Sequence, residues 1–288
     1  MVIIMPGISD MTLIPKQPFM VELSSNYYKY VVNEFGISHF YSFFVKDTDK
    51  ISISVPDGCI DMMIHYDKGR TCVGADFYGT DLLPHSMKVF KGCTHFGVRF
   101  LPGYVPAFAD ASMPEMIDRI IPFEEIAKCH DLPSTVAEHD SFMDQIGAFM
   151  QFYLKYYEKS VYDPYRVKFG LISEIVKAYG NIRVDELSER TNYSISYIDK
   201  IFLNEIGISP KHFCNILRFQ WTLNKLVVSR EKHVDYNSII GQLGYYDQSH
   251  FIREFKKYSK YTPSKYISEL FSKDYNNRLV ILTGPEKS

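Results

Sequence analysis

The stretch GYYDQSHFIREFKKYSKYTPSKY, Gly244–Tyr266, repeats a pattern met 53 residues earlier. Sliding Leu187–Phe213 forward by 53 positions puts Leu187 on Ile240, Ser194 on Asp247, Ile198 on Phe251 and Lys200 on Arg253. Phe202 then lands on Phe255, Ser209-Pro210 on Thr262-Pro263, and Phe213 on Tyr266. Each copy reads as an apolar helix, a tight turn, a capped second helix, and a cap-plus-proline start to a third. Two tandem copies of one small helical unit suggest a surface built to touch something repetitive, and duplex DNA is the first candidate.

In the first unit, Val184–Arg190 supplies a short helix with Leu187 inward and Thr191–Tyr193 makes the turn. Ser194 caps a helix that buries Ile198, Ile201 and Phe202 and leaves Ile195, Ser196, Asp199 and Lys200 outward. In the second unit, Ser238–Leu243 is the first helix, and Gly244 provides a turn position suited to positive φ. Asp247 caps a helix buried through Phe251 and Phe255, with Gln248, Ser249, His250 and Arg253 outward and Lys256, Lys257 and Lys260 following. This is what a helix-turn-helix needs: the second helix enters the major groove N-terminus first, where its amides and dipole also suit phosphates. Gln can pair with adenine, Arg with guanine, and Asp199 can accept from a cytosine amine. The lysines can meet phosphates. Between the units, Pro210–Ser229 reads as one long helix carrying Phe213, Ile216, Leu217, Trp221 and Leu226. Such a helix would set the reading helices into successive major grooves about 34 Å apart.

At these residues the chain resembles a known family. Leu187 to Tyr266 looks like the DNA-binding domain of the AraC/XylS transcription regulators, with the glycine, aromatic, capped helix, F-K-K and T-P-x-x-Y at the family's spacing. The resemblance implies base- or backbone-contacting roles for Ser196, Asp199 and Lys200 in the first unit. In the second it implies them for Gln248, Ser249, His250 and Arg253, while Lys256 and Lys257 are read as phosphate contacts. Two departures stand out: Ser188 where the family usually has alanine, and the acidic Asp199. VPDGCIDMMIHYDKG (55–69) and FGVRFLPGYVPAF (96–108) resemble the sensory β-domains of some of these regulators. That implies a cupin-like β-fold with an effector-binding or oligomerisation role.

The residues before the repeat change texture. Short β-branched or aromatic runs, Phe40–Val45, Ile51–Val55, Ile60–His65 and His95–Phe100, alternate with turn signals at Lys46–Lys50, Pro56-Asp57-Gly58, Asp67-Lys68-Gly69 and Lys91-Gly92. They predict an antiparallel β-sandwich or small barrel, with Tyr27–Val32 beginning or preceding the sheet and the first 20 residues running irregularly. From Ser112 the chain turns helical. Ser134–Lys159 is a long helix candidate whose Phe142, Ile146, Phe149 and Tyr153 form one stripe, packed on its own domain or in a dimer contact. Asp163-Pro164 starts a helix by the device seen at Ser209-Pro210. The expected organisation is therefore α+β and multidomain: 1–125 regulatory and β-rich, 126–162 a helical connector that can dimerise, 163–270 the all-α DNA-binding domain, and 271–288 a peripheral tail.

Charge follows this division. Residues 1–160 carry 13 Lys and Arg against 20 Asp and Glu, whereas 161–288 carry 19 against 14. A basic C-terminal part beside an acidic N-terminal part fits a DNA-binding module joined to a different one. A hydrophobic content of 46% with 23% charged residues is that of a globular protein. No long apolar run suits a membrane span, MVIIMPGISDMTLIPK lacks the features of a secretory leader, and the five unpaired-looking cysteines fit a reducing compartment. A cytoplasmic location and no cofactor are expected.

An enzyme is the competing reading. Asp61, His65, Cys93 and His95 could form a cupin-type metal centre, but no His-x-His pair or His…Glu spacing supports it. No Walker loop, nucleophile elbow or dinucleotide fingerprint occurs. Asp61, His65 and Arg99 are instead candidate effector-binding residues, with Arg99 either pairing with Asp57 or Asp61 or receiving an acidic effector. A third reading keeps the helices as a degenerate, partner-binding module. The expected partners are double-stranded promoter DNA, RNA polymerase if the protein activates, a small-molecule effector and a second copy of the chain.

Overall fold

The computed structural model describes residues 15–46, 53–87, 90–160, 166–228, 235–272 and 275–282. Most of the turn at Lys46–Lys50 and the helix start at Asp163-Pro164 fall outside the described residues, as does the greater part of the N-terminal 20. In chain order, α1 (Pro18–Leu23) leads into β1 (Ser24–Glu34), β2 (Ile37–Val45), β3 (Ile53–Ser54), β4 (Asp61–Tyr66), β5 (Cys72–Tyr78), β6 (His85–Ser86) and β7 (Thr94–Phe100). Then come α2 (Met113–Met116), β8 (Ile120–Pro122), α3 (Phe123–Ile126), α4 (Leu132–Ala137) and α5 (Phe142–Ser160). The helical part comprises α6 (Arg166–Lys177), α7 (Val184–Thr191), α8 (Ile195–Glu205), α9 (Pro210–Val228), α10 (Tyr236–Leu243), α11 (Gln248–Ser259) and α12 (Pro263–Ser272). It closes with α13 (Tyr275–Arg278) and β9 (Leu279–Leu282).

The main sheet has seven strands in the order β8-β5-β4-β7-β2-β1-β9, and β3 pairs with β6 in a small second sheet. Alternation gives the main sheet two unlike faces. On one, Phe40 meets Phe149 at 5.5 Å, Phe96 meets Phe142 at 6.0 Å, and Phe100 meets Tyr153 at 6.1 Å between ring centroids. The aromatic stripe of α5 is thus spent on its own domain, burying Ile146, Phe149, Tyr153 and Tyr157. The register aligns Lys29 with Tyr41, His39 with Arg99, Arg99 with Asp61, and His95 with His65 on the other face. That second face is polar yet buried.

Three elements depart from the sequence expectation. The helix expected over Ser134–Lys159 is two, because Ser141 accepts from the Asp144 N–H at 3.1 Å and so caps a new start at α5. β5 was not anticipated: Gly74 and Asp76, poor strand formers, interrupt its pattern. The tail beyond 270 also gains structure. Leu279–Leu282 runs parallel to β1 from Tyr27 to Tyr30, so the sheet, otherwise antiparallel, takes its last strand from the far end of the chain.

The two parts share a core. Gln220 on α9 is fully buried; its Nε2 donates to the Pro56 carbonyl at 2.8 Å and its Oε1 accepts from the Lys16 N–H at 2.8 Å. Phe19 of α1 stacks on Tyr261 at 5.3 Å and meets Tyr266 edge-on at 5.8 Å.

Candidate nucleic-acid interface

Both helical units form by the devices their sequences carry. In the first, Asn192 ends α7 in the left-handed region at φ 57°, and the Ser194 side chain accepts from the Tyr197 N–H. In the second, Gly244 ends α10 at φ 68°, and Asp247 accepts from the His250 N–H at 2.6 Å. A Cβ on Gly244 would stand 2.2 Å from the Asn181 amide, so this turn needs glycine for space as well as for φ. Ser209 and Thr262 cap the third helices, accepting from the His212 and Lys265 N–H groups at 3.2 and 3.3 Å. Ser188, the departure from the family pattern, donates to the Tyr193 carbonyl at 2.6 Å and ties α7 to its own turn.

Leu187, Ile198 and Phe202 are buried in the first unit, and Leu243, Phe251 and Phe255 in the second. Outward on α8 stand Ser196 and Lys200, with Asp199 half-buried beside them. Outward on α11 stand Gln248, Ser249, Arg253, Lys256 and Lys257. His250 is held back from that set. Its Nδ1 accepts from the Tyr246 N–H at 3.3 Å, and its Nε2 lies 3.5 Å from Glu254.

Arg218 of α9 fixes the second unit. Its guanidinium donates to both Glu254 oxygens, at 3.0 and 2.7 Å, and lies 4.9 Å from the Tyr245 ring centre. Burial acts to lower the Arg218 pKa, but the Glu254 carboxylate outweighs it and keeps the group firmly charged. α9, a 19-residue helix about 28 Å long, therefore joins the two reading helices through packed contacts. Between the units lies a cleft of about 600 Å³ with Arg183, Lys211, Arg218 and His250 in its lining. Lys211 at its edge is exposed, a cation that the repeat pattern did not single out.

Residues 187–269 match the model of a helix-turn-helix domain, and residues 36–122 match a domain of unknown function, DUF6597. Over residues 187–269 the chain is similar to a helix-turn-helix domain. An uncharacterized HTH-type transcriptional regulator from Haemophilus influenzae is 28% identical over 101 residues, which is 35% of this chain and 33% of that protein. The chain thus spans about a third of the curated relative it matches. Among solved structures, ToxT from Vibrio cholerae is similar at 12% identity and a TM-score of 0.44, covering 80% of this chain and 96% of that one. An apo form of a ToxT variant from the same organism is similar at 14% identity and a TM-score of 0.45, covering 80% and 97%.

Outside the helix-turn-helix domain, the three candidate effector residues do not form one site. Arg99 donates to Asp57 at 2.6 Å and through Nε to Asp61 at 2.7 Å, with a second contact from its terminal nitrogen to Asp61. Burial would lower the Arg99 pKa, but the two carboxylates raise it well above the ordinary value, so the charge is kept and already neutralised. His65 lies apart, its Nδ1 2.7 Å from His95 Nδ1 and its Nε2 3.2 Å from Asp76. Burial, then the neighbouring His65, holds His95 down to about 3. Among the described residues, no group of three or more His, Cys, Asp or Glu is arranged to hold a metal ion.

Sequence reasoning missed a buried lysine on the same sheet face. Lys29 is buried, and its Nζ donates to the Pro15 carbonyl at 3.4 Å. Burial pushes its pKa well below the usual lysine value, and the charges of Lys16 and Arg99 push the same way. Lys16, Lys29 and His39 line a cavity of about 40 Å³ together with Gln17, Tyr27 and, from β9, Leu279 and Ile281. The signal that could have found this site was a lone lysine in an aromatic strand, YYKYVV, but its significance needs β9, which comes from about 250 residues further along.

Proposed function

We infer that the protein is a sequence-specific DNA-binding transcription regulator that reads two successive major grooves through α8 and α11. One observation carries this reading. Two capped helix-turn-helix units, 53 residues apart, each leave the outer face of their second helix exposed while α9 packs against both. Ser196, Asp199, Lys200, Gln248, Ser249 and Arg253 are assigned to base edges or the adjacent backbone, and Lys256 and Lys257 to phosphates. His250 acts by holding the turn of the second unit. The test is selection of duplexes from random sequence by the full chain, followed by footprinting of the survivors. No retained duplex would leave the partner-binding alternative.

Regulation belongs to residues 15–160 in this reading, and the effector site is the cavity at Lys29 rather than Asp61, His65 and Arg99. A small anion is the ligand it suits, because Lys16 and Lys29 face it, no carboxylate lines it among the described residues, and a bound anion would favour the protonated Lys29 that burial disfavours. Thermal unfolding of the full chain with mono- and dicarboxylates and inorganic phosphate tests this. A ligand at 100 times its Kd stabilises by about 2.7 kcal/mol, and the effect should vanish in Lys29→Met. Equal stabilisation of Lys29→Met contradicts the assignment. RNA polymerase, for an activator, and a second copy of the chain are the further partners this reading implies.

A further inference from the structure

The two recognition helices present different chemistry at matched positions. At the places where α11 carries Gln248, His250 and Lys256, α8 carries Ile195, Tyr197 and Leu203. These apolar side chains are not packed away: Ile195 is 45% exposed, Tyr197 40% and Leu203 53%. Leu203 lies three and seven residues beyond Lys200 and Ser196, on the same helical face and opposite the buried Ile198 and Phe202. Ile195 is the first residue of α8, on the turn that leads into a groove. The Tyr193 and Tyr197 rings lie 5.3 Å apart between centres and tilted by 46°, an aromatic pair at that end of the helix. The outward charges of α8 cancel as Asp199 and Lys200, whereas those of α11 add as Arg253, Lys256 and Lys257.

A helix whose outward charges cancel gains little from phosphates, so its affinity has to come from the groove floor. The only apolar group displayed there is the 5-methyl of thymine. We propose that α8 is a thymine reader, with Ile195 and Leu203 closing on 5-methyl groups, and that α11 supplies the hydrogen-bonded and phosphate contacts. This rests on the DNA-binding reading above and names what its first half recognises. It makes Ile195 and Leu203 specificity-determining, a role that no polar-residue pattern assigns. Asp199 fits the same scheme, since a carboxylate over a thymine-rich step excludes the guanine and thymine oxygens from its own position while accepting from an adenine or cytosine amine.

The experiment uses the full chain and a duplex it has selected. The half-sites are assigned by the base pairs at which Arg253→Ala relaxes preference. Thymines are then replaced by deoxyuridine one half at a time, which removes the methyl and leaves the pairing unchanged. Under α8 each contacted methyl should be worth about fourfold in affinity, and that loss should disappear in the Ile195→Ala and Leu203→Ala variants. Under α11 neither variant should alter the response to deoxyuridine. Both residues are exposed, and circular dichroism of each variant should match the parent chain. Binding insensitive to deoxyuridine in the α8 half, or equally sensitive in the variants, overturns the proposal and leaves the DNA-binding reading standing. Variants that bind DNA as the parent does but lose transcriptional response also overturn it, because the apolar face then meets a protein. If no duplex is retained at all, the parent reading fails and this one with it.

Discussion

Single residues decide whether the polar face of the sheet is a site or a scaffold. Arg99 between Asp57 and Asp61 satisfies its own charge inside the protein, and removing both carboxylates would strand a buried cation, the costly case for a buried pair. His95 has a measurable consequence. In the folded chain its pKa is down to about 3, against an ordinary 6.5, so between those values the unfolded chain takes up a proton that the folded chain refuses. Stability is therefore lost as pH falls from about 6.5 towards 3, at ~1.4 kcal/mol per pH unit for this one group. His39, lowered by burial and then by the Lys29 charge, adds loss in the same direction. Urea unfolding across this range should show a shallower decline for His95→Gln than for the parent chain. Parallel curves would mean that His95 titrates normally. None of this was visible in the sequence, where His65 and His95 were two histidines 30 residues apart; only the β4–β7 register puts them in contact.

Elements were legible where local chemistry fixes them. Ser194, Asp247, Ser209-Pro210 and Thr262-Pro263 place the helix starts because capping is a matter of three or four adjacent residues. β1 was poorly legible because its register shifts between Ser24 and Tyr27 and again between Val31 and Glu34, which breaks the two-residue period that marks a strand. β9 was invisible, being four apolar residues whose partner strand lies at the other end of the chain. Of the reading positions, exposure agrees with the sequence for Ser196, Lys200, Gln248, Ser249 and Arg253, while His250 turns inward to Glu254. The basic outward face of α11 leads to a separation of effects. Arg253→Ala should lose about 1–3 kcal/mol on a selected duplex and relax preference at one base pair. Lys256→Ala should weaken binding to all sequences alike and reduce the salt slope by about one. Titration against selected and scrambled duplexes at several salt concentrations distinguishes them; equal losses on both duplexes for Arg253→Ala would remove it from base reading.

At the scale of the whole molecule, the β-rich and helical parts meet through α1, Gln220 and β9, all close to Lys16 and Lys29. A ligand in the Lys29 cavity would touch residues from the N-terminal segment, the sheet and the C-terminal strand at once. The main-chain N–H of one of those residues, Lys16, already donates to α9. In the proposed reading, an effector's signal would have a short physical route: from cavity to Lys16, to Gln220, to α9. The charge division along the sequence pointed to two modules, but it could not show that they share a core. The central claim is that α8 and α11 occupy successive grooves of one duplex. Hydroxyl-radical footprinting of the full chain on a selected duplex tests it most directly. The account predicts two protected patches on one face of the DNA, with centres about 34 Å apart or one helical turn; a single patch, or none, would contradict it.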